Sequence, residues 1–355
     1  MKSELVLAVE TSCDDTTAAV VAGGRRVLSS HVASQEEIHA LFGGVVPEVA
    51  SRQHVEVITH VVQAALDEAG VTWNDLGGLA VTNGPGLIGS LLVGVSAMKA
   101  YCLATGLPLV GVNHIEAHVS SNFCDLPEHA GAPEDFPALC LIASGGHSDL
   151  VLLHARDEHE LLGCTRDDAA GEALDKAARV LELGYPGGPA IQRAAEAGQP
   201  RLDLPRPLIE GTLDYSFAGL KSALLRLVEQ LRKDGDLPVA DLAASYQEAV
   251  VDTLMRNVRQ AAGALSGLRP DTPPRDALRG DVPAVRQILL CGGVAANKLL
   301  RERLSRLGAE LGLPVRYPPF RLCTDNAAMV GAAGWLKLSA GQRDDLTLDV
   351  FSAQP

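Results

Sequence analysis

The chain has 355 residues, long enough for two ordinary domains, and its 47% hydrophobic content fills real cores, so disorder is not expected. Its 44 acidic and 30 basic residues leave a formal charge of −14, which argues against an autonomous nucleic-acid binder because phosphate contacts need a basic surface. An RNA substrate held partly by partner proteins stays open.

The first ten residues, Met1 to Glu10, reach an acid too soon for a signal peptide, and a cytoplasmic location is expected. Residues 5–21 then read as an apolar strand, a short turn of small and polar residues, and a second apolar strand: a hairpin presenting backbone N–H groups at its tip. Asp14 and Asp15 sit on that tip. They are either ordinary solvated turn acids or a pair that meets a phosphate through a bridging divalent ion of the magnesium type.

Apolar spacing predicts helices at about 48–69 and 87–105, with a strand at 78–84 running through glycines into the second. The longest apolar stretch, 86–112, is interrupted by Lys99, five glycines and Pro108, so it reads as a buried helix followed by a strand, not as a membrane span. Residues 124–137 have the composition of a loop. A second hairpin of the same kind follows at 139–153, with Ser144-Gly-Gly-His147 at its tip. Further helices are predicted at 168–182, 217–233, 239–264, 294–311 and 325–340, with a loop at 266–283 and a strand at 288–291 that runs into Gly292-Gly293. Strand-turn-strand followed later by strand-glycine-helix thus occurs twice, which makes the chain an α/β protein built from a duplicated unit. Glycine permits the tight backbone at these turns, and the following helix N-terminus favours an anion.

Seven cysteines occur singly, with no C-x-x-C pair, and read as reduced, mostly buried thiols. Basic clusters at Arg201 and Arg206, at Lys221, Arg226, Arg232 and Lys233, and at Lys298, Arg301, Arg303 and Arg306 are read first as solvated helix faces.

The candidate chemistry centres on His114 and His118. If residues 111–122 are helical, these i and i+4 imidazoles project from one face within reach of a single metal ion; otherwise they pack or hydrogen-bond near a helix start. A third ligand must come from elsewhere, and Asp325 is the candidate, against the alternative that Thr324 or Asp325 merely caps the helix that opens there. Two histidines and a carboxylate leave open coordination positions suited to Lewis-acid catalysis. A zincin protease carries H-E-x-x-H, whereas this chain has H-x-E-x-H; on a helix Glu116 is rotated by about 200° from His114 and cannot serve as the metal-side base.

Two hairpins and a late strand-Gly-Gly-helix are how the actin-like superfamily surrounds a nucleotide in a cleft between two lobes. By that analogy Ser144-Gly-Gly-His147 wraps phosphate, Cys291 to Asn297 lies beside adenosine, and Asp14-Asp15 faces phosphate or its metal. The lobes are expected at 1–113 with a C-terminal helix at about 326–355, and at 114–325 with a helical insertion.

With these residues assembled, the chain resembles the TsaD (Gcp/YgjD, Kae-type) family of tRNA threonylcarbamoyltransferases along nearly its whole length. The resemblance is carried by Glu10-Thr-Ser-Cys-Asp14, Gly43-Gly-Val-Val-Pro-Glu-Val-Ala-Ser-Arg52, Gly84-Pro-Gly-Leu-Ile-Gly89, His114-x-x-x-His118 and Ser144-Gly-Gly-His147. It continues through Asp167-Asp-Ala-Ala-Gly-Glu-Ala-Leu-Asp-Lys176, Tyr185-Pro-Gly-Gly-Pro189, Ser216-Phe-Ala-Gly-Leu-Lys221, Gly292-Gly-Val-Ala-Ala-Asn297 and Cys323-Thr-Asp-Asn326.

The resemblance implies an actin-like (ASKHA) two-lobed fold and transfer of threonylcarbamoyl from threonylcarbamoyl-AMP to the N6 amine of the adenosine 3′ of the anticodon. It implies a divalent metal, iron by family and otherwise zinc or manganese, on His114, His118 and Asp325, with Mg2+ accompanying a nucleotide. It also implies substrate contacts at Ile142, Ala143, Ser144, Gly145, Gly146, Asp175, Gly188 and Asn297. Partners implied are ANN-decoding tRNA, a TsaB-like paralogue and a TsaE-like ATPase, with no membrane. Asp14 and Asp15 are the candidate catalytic carboxylates. The family commonly has Cys-Asp-Glu at the first turn, so Asp15 retracts its charge by about one methylene. A second departure is Tyr215-Ser-Phe-Ala-Gly-Leu-Lys221, where the family has Phe-Ser-Phe-Ser-Gly-Leu-Lys. The rival readings are an actin-fold small-molecule kinase, a metalloprotease and a non-catalytic scaffold.

Overall fold

The computed structural model describes residues 3–125, 135–235, 237–265 and 284–352, so the loops expected at 124–137 and 266–283 fall largely outside the described residues. The first half contains β1 (Leu5–Glu10), β2 (Thr16–Ala22), β3 (Arg26–Ala33), α1 (Glu36–Ala40), α2 (Pro47–Ala69), β4 (Gly78–Gly84), α3 (Ile88–Thr105), β5 (Leu109–Asn113) and α4 (His114–Ser120). There follow β6 (Ala138–Ala143), β7 (Ser148–Leu153), β8 (His159–Gly163), α5 (Ala170–Val180), α6 (Gly187–Ala195), α7 (Ala218–Asp234) and α8 (Val239–Leu265). The chain continues with β9 (Gln287–Cys291), α9 (Lys298–Leu311), β10 (Val315–Arg316) and α10 (Ala327–Ser339).

The strands form two five-stranded sheets, ordered β3-β2-β1-β4-β5 and β10-β9-β6-β7-β8. In the first, β1 pairs antiparallel with β2, β2 antiparallel with β3, and β1, β4 and β5 run parallel. The second repeats this with β6, β7, β8, β9 and β10 in the same roles. This is the duplication expected from the paired hairpins. The third strand of each unit, β3 and β8, was not among the expected elements: β8 is half exposed, and its alternation is too weak to stand out in the sequence.

The chain divides into two compact units, Met1–Pro133 with Pro318–Pro355, and Glu134–Tyr317. The boundary therefore differs from the expected division at 113/114 and 325/326. Residues 114–125 and 318–325 belong to the first unit because Ala117, Cys124 and Leu322 share a buried cluster with Ala327, Ala328 and Val330 of α10. The C-terminal helix is also shorter than the expected 326–355. It ends at Ser339, just before Gly341 turns at a positive φ of 87°. The segment beyond hydrogen-bonds to the edge strand β5, Asp344 N–H to the Leu109 carbonyl, and to the end of β4, Phe351 N–H to the Asn83 carbonyl.

In the first unit both faces of the sheet are covered, so its central strands read as continuous apolar runs. Strand alternation sends Val6, Ala8, Ala19, Val21, Ala80, Val110 and Val112 to the α10 side, and Leu7, Val9, Ala18, Val20, Leu79 and Val81 to the α2/α3 side. Helix α3 is the one described helix long and apolar enough to cross a bilayer by length and composition. Its Ser90, Leu91, Gly94, Val95 and Met98 are buried, and α3 packs on α2 and β4.

Helix α10 lies unusually close to the sheet. A Cβ on Gly331 would stand 2.7 Å from Val21 Cγ2, and one on Gly334 only 2.3 Å from Ala80 Cβ. In the second unit α5 to α8 fill the span between β8 and β9, with α8 buried along most of its length.

Because the sheet cannot retreat at Ala80, Gly334→Ala is expected to destabilise the first unit by about 1–3 kcal/mol through overpacking. Urea denaturation followed by tryptophan fluorescence checks this, and an unchanged midpoint would contradict the close approach.

Candidate metal centre and phosphate turns

The expected helix around the histidine pair is α4. It starts directly after β5, where the Asn113 side chain accepts hydrogen bonds from the Ile115 and Glu116 amides at 2.8 and 3.4 Å. This places His114 and His118 on one buried face, with ring centroids 4.6 Å apart and planes at 77°. Asp325 comes from just before α10. One ligand atom from each of the three residues lies within 4.8 Å of the others. His118 Nε2 is 3.1 Å and His114 Nε2 3.6 Å from Asp325 Oδ1. The capping alternative for Asp325 fails, because Asn326 is the residue whose side chain accepts from the Met329 amide, at 3.0 Å. Glu116 points elsewhere, 3.2 Å from Lys337 Nζ, as its helical position required.

Beneath the pair lies an acid to which the sequence analysis gave no role in the centre. Glu10, the last residue of β1, is fully buried and accepts from Thr82 Oγ1 at 2.6 Å and from the Ser12 amide, while its Oε2 lies 3.0 Å from His114 Nδ1. Ser12 Oγ is 3.2 Å from the same ring nitrogen. The signal was an acid closing an otherwise apolar strand. Burial raises the cost of charge on Glu10, but the adjoining His114 outweighs it and holds the carboxyl below its ordinary range. Burial alone would lower the His114 pKa; Asp325 and Glu10 overcome it and raise the value to about 9. For His118 burial wins, and its pKa falls. Both ring nitrogens of His118 are buried; Nδ1 lacks a hydrogen-bond partner among the described residues, and Nε2 faces the Asp325 carboxylate at 3.1 Å.

Asp14 and Asp15 sit on the β1–β2 turn of the same unit. His54 holds that turn, with Nε2 3.0 Å from the Cys13 carbonyl and Nδ1 2.7 Å from Thr16 Oγ1. Burial, with smaller contributions from Asp14 and Asp325, raises the Asp15 pKa to about 6 despite a hydrogen bond from Ser34. Asp15 Oδ1 is buried without a hydrogen-bond partner among the described residues.

The expected substrate residues lie in the second unit. Ile142 and Ala143 end β6 with buried side chains, so only their backbone is available. The turn closes on itself: Ser144 N–H donates to the His147 carbonyl at 2.8 Å and His147 N–H to Ser144 Oγ at 3.1 Å. Added Cβ atoms on Gly145 and Gly146 would meet nothing within 4 Å, so this tip is open. Gly292, at φ 89°, crosses the end of β6 with its Cβ direction 2.3 Å from the Ala143 carbonyl oxygen, a crossing only glycine permits. Asn297 caps α9 through Leu300 N–H at 3.0 Å and donates to Gln247 Oε1 at 2.9 Å; it also separates α9 from a short 3-10 turn, Gly293–Ala296, splitting the helix expected at 294–311. Asp175 accepts from the amide of Gly187, the first residue of α6, at 2.8 Å, and Gly188 follows it in the first turn.

The basic clusters are largely paired with acids. Arg206 meets Asp252 at 3.0 Å, Arg232 meets Glu182 and Lys298 meets Glu196 at 2.8 Å, and Arg201 and Arg303 bind Asp241 and Glu248. All seven cysteines are thiols outside any disulfide.

Solved structures define the fold class as actin-like. HypF from T. kodakarensis matches with a TM-score of 0.57 at 16% identity, over 95% of this chain and 48% of that one. Component A of the Acidaminococcus fermentans (R)-2-hydroxyglutaryl-CoA dehydratase matches with a TM-score of 0.52 at 13% identity, over 95% and 100%. The sequence model of TsaD, tRNA N6-adenosine threonylcarbamoyltransferase, matches residues 26–332. Proteins of that name are 49% identical in Dehalococcoides mccartyi, covering 98% of each chain, and 48% identical in Symbiobacterium thermophilum, covering 97% of this chain and 95% of that one. The chain belongs to the TsaD family, and it is an acyltransferase that acts on tRNA; the kinase and protease readings are not favoured.

A carboxyl whose pKa is higher folded than unfolded favours folding at low pH, and that contribution is lost as pH rises. For Asp15 the window runs from about pH 4 to about pH 6. Asp15→Asn is therefore expected to make the metal-free protein more stable at pH 7.5, by at most about 3 kcal/mol, with the gap closing by pH 4. Chemical denaturation at both pH values reads this; a gap that does not change with pH would contradict the buried, reluctant carboxylate.

Proposed function

We propose that His114, His118 and Asp325 hold one divalent metal ion in the active site of a threonylcarbamoyl-AMP:tRNA transferase acting on the adenosine 3′ of the anticodon. The observation that carries this is the convergence of the three side chains within 4.8 Å around a fully buried His118 imidazole. Such a donor set fits iron, with zinc or manganese as chemically acceptable substitutes. A bound ion supplies Lewis acidity toward a carbonyl or hydroxyl oxygen.

The chain's own residues supply the rest. The open Gly145-Gly146 tip, with Ile142, Ala143 and Ser144 leading into it, suits the phosphate of the donor, and Asp175, Gly188 and Asn297 suit the remainder of the nucleotide. The adenine N6 amine attacks the carbamoyl carbon, the bond from that carbon to the phosphate oxygen breaks, and AMP leaves. The proton released from the amine goes to a carboxylate. Asp15 is the better placed in acidity, since its pKa of about 6 lies near the working pH, with Asp14 beside it. An amine this weak needs positioning more than basicity. Magnesium accompanies any phosphate that faces the Asp14-Asp15 turn.

The acidic net charge and the ion-paired basic clusters support tRNA capture shared with a TsaB-like paralogue and a TsaE-like ATPase, in the cytoplasm.

Incubated with such partners, unmodified tRNA and threonylcarbamoyl-AMP, the chain is expected to yield threonylcarbamoyladenosine by mass spectrometry. His114→Ala should lower the yield by at least a hundredfold while the circular dichroism spectrum is retained. Full activity after rigorous metal removal would sink the metal role.

A further inference from the structure

The two imidazoles of the proposed centre are not held alike. His118 Nδ1 is buried with no hydrogen-bond partner among the described residues, whereas His114 Nδ1 faces Glu10 Oε2 at 3.0 Å and Ser12 Oγ at 3.2 Å. Glu10 reaches this position by strand parity: Val6 and Ala8 of β1 point to the α10 side, and Glu10 continues that series at the strand's end. Thr82 comes by the same parity from Ala80 on β4, and its hydroxyl donates to Glu10 Oε2 at 2.6 Å. The Ser12 amide donates to Oε1. The carboxylate is thus fixed from two directions by donors on one strand and a turn, and it presents an acceptor to the ring.

We propose that Glu10 is the positioning residue of the centre: by accepting the His114 Nδ1–H it fixes the ring's tautomer and rotation, so that Nε2 is the nitrogen offered to a metal. The inference rests on the reading that the centre binds metal. Its physical basis is that both Glu10 oxygens already accept, Oε1 from the Ser12 amide and Oε2 from the Thr82 hydroxyl, so the proton on this face belongs to the ring, and the Nε2 lone pair is directed to the side where His118 and Asp325 stand. Replacement by glutamine breaks the arrangement in either orientation. With its oxygen toward His114 the amide sets two donors against each other at Ser12 N–H. With its nitrogen toward His114 it demands the opposite tautomer.

The test is a cobalt(II) titration of the full chain, wild type and Glu10→Gln, followed through the visible d–d bands. It is joined by 15N NMR of the zinc-loaded wild-type protein. Glu10→Gln is expected to bind cobalt 10- to 100-fold more weakly with an altered spectrum. The zinc-loaded wild type is expected to show a slowly exchanging His114 Nδ1–H and an Nε2 shifted by the metal. Cobalt bound by the variant with wild-type affinity and spectrum overturns the inference and leaves the metal reading standing. If Glu10→Gln does not fold, the NMR decides alone, and zinc on Nδ1 of His114 overturns it. A wild type that binds neither ion overturns the metal reading and this inference together.

Discussion

The first unit depends on how closely α10 approaches its sheet. Gly331 and Gly334 bring the helix backbone to Val21, Ala8 and Ala80 at distances no larger residue tolerates, and alanines fill most of the remaining contact. The helix lies flush, and the residues leading into it are carried down with it. Leu322 and Ala327 join Ala117 and Cys124 in one buried cluster, so α4 and the start of α10 become neighbours. Asp325, remote in the chain from His114 and His118, arrives beside them as a result. The centre is a by-product of small residues on one helix face.

That packing buries more charge than an apolar core admits unaided. Glu10 is fully enclosed and His114 nearly so, and neither would stay ionised alone; each favours the charged form of the other, with Asp325 supporting the charge on His114 and opposing that on Glu10. The second imidazole stays neutral because burial dominates there. The imidazoles ligate only in their neutral form, and two neutral rings beside Glu10 and Asp325 leave an acidic surplus that, in the proposed centre, a divalent ion takes up. Asp15 on the adjoining turn has its pKa raised chiefly by burial, with Asp14 and Asp325 opposing its ionisation to a smaller extent.

The features legible in the sequence are those whose physics is local. The two hairpins, the glycines that turn strands into helices, and the histidine spacing on α4 depend on neighbours within a few residues, and they stand in the structure as expected. The duplication followed from them. The unit boundary was not legible, because what assigns α4 and residues 318–325 to the first unit is a contact with α10. Asp325 could be singled out as a carboxylate opening a helix, yet only the structure separates it from the capping role that Asn326 performs. Glu10 was overlooked because its importance lies in three partners from β4, α4 and the following turn, which the linear order does not bring together. The basic clusters lie on solvated faces as read, and what the sequence did not reveal is their acids, such as Asp252 and Glu182, which lie far off in the chain.

The central claim is that one metal ion sits on His114, His118 and Asp325. Anomalous X-ray scattering from crystals of transfer-competent, iron- or zinc-loaded protein, collected on both sides of the metal edge, tests it most directly. The expected result is a single peak about 2.0–2.2 Å from both His Nε2 atoms and an Asp325 carboxylate oxygen. Transfer-competent protein with no peak at those three residues would contradict it.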